Sequence, residues 1–205
     1  MSDQQLKIIR RYMTHNDCFM QGDLLKASGI MIHSTAEPGI MAADWFDLWD
    51  RSYAAGQIDR QVAVHAFVDD KVVCQYLPWT MRAWHATGPA NLSFIGIETC
   101  EPAGLHYGPD GFQLIGYDPS VFHEYFQKVW QNDIQLSVFL CRQYHIDPGS
   151  IISHHEGYLT GLASDHQDPE HWWRYHAKTM DDFRREVKMR LDTGDENGKK
   201  EKRKV

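Results

Sequence analysis

Apolar positions along this chain alternate between two periods. Positions 29–33 form a short apolar run, which predicts a buried strand with His33 near its end, just before Ser34-Thr35. Positions 42–55 carry Trp45, Leu48, Trp49 and Tyr53 at helical spacing and predict an amphipathic helix. Two β-rich runs, 62–68 and 71–77, flank Asp69-Asp70 and read as a hairpin. A further strand is expected over 94–100, with Ile95 and Ile97 on one face and Gly96 and Glu98 on the other. The segment 102–118 holds four glycines and predicts a long loop, either a lid or groove wall or a plain surface excursion. Asp118-Pro119-Ser120 opens a helix to about residue 144, with Phe122, Tyr125, Phe126, Val129 and Trp130 on its apolar stripe. Ile151-Ile152-Ser153 reads as a short strand, and Pro169 as the start of a final helix reaching about residue 191.

Strands alternating with long helices predict an α/β protein: a single domain over 28–191 with a central mixed β-sheet flanked by helices. Residues 1–27 read as an arm with a short helix, and 192–205 as a disordered charged tail. The basic end of that tail could favour anionic polymers, but a solubilising role is the plainer reading. Across 205 residues, 42% hydrophobic and 12% aromatic content are values of a chain with a packed core. A formal charge of −7 argues against a nucleic-acid partner. No apolar run approaches the roughly 20 residues of a membrane span, so no membrane insertion is expected. The first eleven residues lack a secretory core, so synthesis as a soluble cytoplasmic product is expected. Cys18, Cys74, Cys100 and Cys141 are scattered with no CxxC pair, which argues against a disulfide framework and leaves buried small apolar residues as the expectation.

Histidine is the anomaly, with twelve in the chain. Three places offer metal-binding chemistry: His33 at a strand end, the pair His154-His155 after a later strand, and Asp168 within Asp165-His166-Gln167-Asp168-Pro169. Two neutral imidazoles and a carboxylate leave one corner of a tetrahedral zinc open for water, the arrangement of a catalytic site. Each residue alone has a plainer reading: a satisfied core histidine for His33, a helix N-cap for Asp168. On an extended backbone His154 and His155 point opposite ways, so that one reaches a metal while the other packs. Trp84, Trp172 and Trp173 are candidate sugar-stacking surfaces, although helix packing is the expectation for the Trp172-Trp173 pair.

Taken in order, several segments resemble the zinc-dependent N-acetylmuramoyl-L-alanine amidases of the type 2 amidase family, whose fold is shared with peptidoglycan recognition proteins and phage T7-type lysozymes. They are Gly29-Ile30-Met31-Ile32-His33-Ser34-Thr35, Val64-His65-Ala66-Phe67-Val68, Ala83-Trp84-His85-Ala86, Ser93-Phe94-Ile95-Gly96-Ile97-Glu98, His154-His155-Glu156 and His166-Gln167-Asp168-Pro169. The likeness runs from about residue 15 to 190. It implies a peptidoglycan recognition protein-like fold with Zn2+ held by His33, His154 and Asp168. It also implies a catalytic role for Glu98. His166 falls where many relatives have a catalytic lysine, which makes that group titrate near neutral pH. Val64 stands where some relatives have a catalytic tyrosine, so that role is absent or moves to Glu98. Asp165 is a rival to Asp168, and the following Pro169 favours Asp168. His65, Trp84 and His85 are expected at the substrate, His65 as groove floor or support and His85 as a substrate or oxyanion contact.

The activity so implied is hydrolysis of the amide between the N-acetylmuramic acid lactyl group and L-alanine of peptidoglycan, as a phage endolysin or bacterial autolysin. The alternatives are a non-catalytic peptidoglycan-binding module of the same fold and a cytoplasmic muropeptide-recycling amidase. An endolysin of this sequence would be a monomeric catalytic domain released to the wall by a holin or by lysis.

Overall fold

Six strands form one sheet in the order β1-β4-β3-β5-β2-β6. They are β1 (Ile8–Arg10), β2 (Gly29–Ser34), β3 (Ala66–Val68), β4 (Val73–Gln75), β5 (Phe94–Thr99) and β6 (Ile151–Ser153). The computed structural model describes residues 6–202, with side chains to residue 193. All neighbouring pairs are parallel except the β3–β4 hairpin. The hairpin turn is built by Asp69, whose carboxylate accepts from the backbone N–H of Lys71 and Val72 at 2.8 Å each, as Asx turns do. The edge strand β1 comes from the N-terminal segment, read from sequence as an arm with a short helix. Only Asp17–Gln21 (α1) is helical there, closed by Gly22 at a φ of 70°.

The central strand β2 is buried along its whole length. Ile30 and Ile32 join Ile95 and Ile97 in the main core against Phe126, Val129, Trp130 and Ile134 of the long helix α3 (Pro119–Tyr144). That helix starts as its sequence predicts: Asp118 caps Ser120 N, and Pro119 occupies the first turn. Register pairs Met31 with Gly96 and His33 with Glu98. Strand alternation therefore places these four on the face away from α3, and this is the face that carries the site.

Two helices depart from expectation. The amphipathic run at 42–55 yields only α2 (Trp45–Trp49). Trp45 stacks on Phe67 with centroids 4.7 Å apart, but Asp50 then accepts from His15 N and Ser52 Oγ donates to Asp17. Side chains thus hold the following segment in turns. The single helix expected from Pro169 is broken into α5 (Glu170–Trp173), one 3-10 turn (Arg174–His176) and α6 (Met180–Lys202). Ala177 is left-handed at a φ of 51°, and Thr179 and Asp182 cap a new start, with Thr179 N donating to Asp182 and Asp182 N to Thr179 Oγ1. The backbone of α6 continues beyond residue 191 to Lys202, into the expected tail, since propagation adds a bond for each residue fixed. Positions 203–205 of that tail lie outside the described residues.

Candidate metal centre and active site

Three side chains from separate elements converge at the C-terminal end of β2. His33 lies on β2, and His154 opens α4 (His154–Leu159) immediately after β6. Asp168 stands two residues before α5. His33 Nδ1 is 2.9 Å from His154 Nδ1 and 3.3 Å from Asp168 Oδ2. His154 Nδ1 is 3.6 Å from Asp168 Oδ1. Tetrahedral zinc with bonds of about 2.0–2.1 Å has ligand atoms about 3.3 Å apart, so this donor set fits such an ion in chemistry and spacing. These residues form a group that could hold a metal ion.

Local sequence explains the placement. Ser153 caps α4 through a reciprocal box: its Oγ accepts from Glu156 N at 2.9 Å, and Glu156 Oε2 accepts from Ser153 N at 3.2 Å. Arg184 of α6 donates to both Glu156 oxygens at 2.8 and 3.0 Å. The two histidines therefore sit on a helix rather than the expected extended strand, so they are rotated by about 100° rather than opposed. His155 holds the neighbouring turn, its N–H donating to the Asp168 carbonyl at 3.2 Å and its Nδ1 lying 3.2 Å from the His166 carbonyl. Ser34 N donates to Asp168 Oδ2 at 3.3 Å. Asp168 is thus a side chain of the cluster and not the helix N-cap of its plainer reading.

Electrostatics within the cluster are opposed. Burial alone would lower His33, but its hydrogen bond to Asp168 and the charges of Glu98 and Asp168 raise it above the usual imidazole value. Burial and the neighbouring His33 push His154 down to about 3. Burial would raise Asp168, yet the hydrogen bond with His33 and the imidazole charges hold it at about 2. Burial pushes Glu98, beside His33, up to about 8, and its Oε2 has no partner among the described residues.

Other expected residues take different places. His166 Nδ1 lies 3.0 Å from His154 Nε2, and Ser164 Oγ is within 3.2 Å of both rings. His65 has no exposed surface. Gly96 N donates to its Nδ1 at 3.0 Å and its Nε2 donates to the Met81 carbonyl at 2.8 Å. Burial lowers it to about 4. Both ring nitrogens are thus engaged within the protein, in line with the supporting alternative of its expectation rather than the groove floor. His85 is likewise engaged twice, by His33 Nε2 at 2.9 Å and the Phe94 carbonyl at 3.2 Å, which leaves no donor for an oxyanion. Trp84 is half-buried and packs with Phe19 and Met81 around Leu77. Trp172 and Trp173 are buried in the core, and all four cysteines are buried and free, both as packing predicts.

A cleft beside Asp168 is lined by His166, Asp165, Ala36, Asp110 and Phe112. The last two belong to the 102–118 loop, which therefore serves as a groove wall. Tyr107 ties that loop down, donating to the buried Glu101 at 2.6 Å and lying 2.8 Å from His171 Nε2. Sequence reasoning missed Ser164, His171 and Asn91; the side chain of Asn91 accepts from His85 N and Ala86 N at 3.0 and 2.8 Å. Among the described residues no helix is long and apolar enough to cross a membrane.

A family model described as N-acetylmuramoyl-L-alanine amidase matches residues 23–171. Solved structures agree in fold. A mutant endolysin from Bacillus subtilis superposes with a TM-score of 0.58 at 23% identity, covering 89% of this chain and 99% of that one. The Staphylococcus aureus hydrolase AmiA, in complex with its ligand, gives 0.64 at 18% identity over 93% of this chain and 85% of its own. The PlyG catalytic domain gives 0.64 at 18% over 91% and 96%. A comparison with curated protein sequences found no match. Since the family match spans β2, the hairpin, β5 and the turn that carries Asp168, the chain belongs to the N-acetylmuramoyl-L-alanine amidases and is a peptidoglycan amidase.

Proposed function

We propose that His33, His154 and Asp168 hold a zinc ion, and that Glu98 and His166 handle protons and charge during cleavage of the lactyl–L-alanine amide. The observation that carries this reading is the convergence of three donor atoms within 4.8 Å of one another, beside a glutamate on the adjacent strand. Bound zinc supplies Lewis acidity and lowers the pKa of water toward about 7. Glu98 takes the proton of the attacking water and passes it to the departing alanine nitrogen. A carboxylate in that place serves as base toward the water and, once protonated, as acid toward the leaving nitrogen. His166, exposed at the cleft, offers a hydrogen bond to the carbonyl oxygen as negative charge develops there. Trp84 and the Phe112 wall contact glycan or stem peptide. All these groups come from one chain, so a monomer suffices, reaching the wall through a holin or lysis.

The test is mass spectrometry of cell wall digested with and without a chelator. New lactyl carboxyl and alanine amine ends, lost on chelation and restored by zinc, are expected; cleavage at a glycosidic bond would refute the reading. Glu98→Gln should lower kcat by about 10²–10⁴-fold while the protein still binds one zinc, measured by metal analysis after dialysis.

A further inference from the structure

On the face of the sheet opposite α3, a row of polar contacts continues away from the three donors. The Phe94 carbonyl can only accept a hydrogen bond, so the His85 nitrogen facing it at 3.2 Å, Nε2, carries the proton. A neutral His85 then has its lone pair on Nδ1. That lone pair faces His33 Nε2 at 2.9 Å, so a neutral His33, the form a metal ligand takes, donates from Nε2, and its own lone pair lies on Nδ1. Nδ1 is the atom that faces His154 and Asp168. The tautomer of His33 is thus dictated by a carbonyl two rings away.

The place of His85 is itself prepared. A Cβ on Gly96 would stand 2.6 Å from His85 Cγ and 2.8 Å from Cδ2 and Nδ1, closer than real Cβ contacts occur. Only a glycine at this position lets the ring lie over β5 next to His33. Below it, Gly96 N donates to His65, which in turn donates to the Met81 carbonyl, and this pins the strand. From the other side Asn91 receives the N–H groups of His85 and Ala86.

We propose that His85, seated over Gly96 and anchored to the Phe94 carbonyl, is a positioning residue that holds His33 in the Nε2–H tautomer and so presents Nδ1 as a metal ligand. It rests on the reading of His33, His154 and Asp168 as the metal site. His85 acts through His33 and touches neither metal nor substrate. A partner of this kind orients the ring and raises its basicity, and its loss typically costs about 10–100-fold in metal affinity.

The experiment measures zinc affinity by competition with a chromophoric chelator for wild type, His33→Ala, His85→Ala, His85→Asn and Gly96→Ala, each checked for folding by circular dichroism. His33→Ala separates the two claims: if it leaves zinc binding unchanged, the metal site itself is wrongly assigned. With that control lost as expected, His85→Ala should weaken binding by about 10–100-fold. His85→Asn, whose Oδ1 replaces the Nδ1 acceptor, should recover most of it. Gly96→Ala should behave like His85→Ala although it removes no polar group. Nitrogen NMR of the zinc-loaded wild type should show a proton on His33 Nε2 coupled across a hydrogen bond to His85 Nδ1. Binding by His85→Ala within about twofold of wild type, far under the usual cost of losing such a partner, would overturn the proposal. So would a proton found on His85 Nδ1.

Discussion

At the scale of single residues, burial decides which polar groups carry chemistry and which carry structure. His33, His154 and Asp168 were legible because each stands in a recognisable segment with a spare donor atom. His65 and His85 stand in equally recognisable segments, but their partners are the Met81 and Phe94 carbonyls, which no spacing rule places beside them. Asp133 was not legible at all, since on α3 it occupies a position where any apolar residue would fit the periodicity. It is fully buried, and burial holds its carboxyl well above the usual range against one hydrogen bond from Thr99 Oγ1 at 2.9 Å. The native state therefore keeps a proton that the unfolded chain releases above about pH 4. Its contribution to stability is complete below that value and is lost as pH rises toward the native pKa. Asp133→Asn cannot ionise, so the variant should match wild type near pH 4 and gain on it as pH increases. The Tm of the variant should therefore equal that of wild type near pH 4 and exceed it at pH 7. Calorimetry at both pH values on chelated protein checks this, and an equal loss at both would mean that Asp133 is charged where it lies.

At the scale of elements, patterns whose caps agree with their periodicity were read correctly, and those that side-chain caps interrupt were not. The strands β2 and β5 and the helix α3 match their sequence signals because periodicity and caps agree. The break before α6 was announced by Thr179 and Asp182, a capping box inside a stretch whose apolar spacing suggests one helix. The box at Ser153 and Glu156 has the larger consequence, since it sets the first turn of α4 and with it the direction of His154. Ser153→Ala should cost about 1 kcal/mol. Arg184→Ala removes the grip on the Glu156 carboxylate, and because Ser153 Oγ holds the backbone N–H of that same residue, their effects should fall short of additive by about 0.5–1 kcal/mol. Urea unfolding of the two single variants and the double variant measures the coupling; strict additivity would mean that Arg184 steadies α6 alone.

At the scale of the molecule, strand order is what the sequence conceals. Nothing in the local pattern says that β2 lies between β5 and β6, or that Ile8–Arg10 leaves the arm to pair with β4. Yet this order builds the centre, because β5 brings Glu98 beside His33 and β6 delivers His154 from 121 positions away. Three donors distant in sequence meet only in the folded chain, so an ion bound to them stabilises the native state by mass action. At a free zinc concentration about 100 times Kd this amounts to about 2.7 kcal/mol, or a Tm higher by about 5–10 °C than in chelator. Asp168→Asn, which keeps the shape of the side chain and removes its charge, should flatten that dependence. Scanning calorimetry across a zinc titration distinguishes the outcomes: a Tm that rises with the logarithm of zinc in wild type and not in the variant places the ion among these donors. An equal rise in both would put it elsewhere on the molecule.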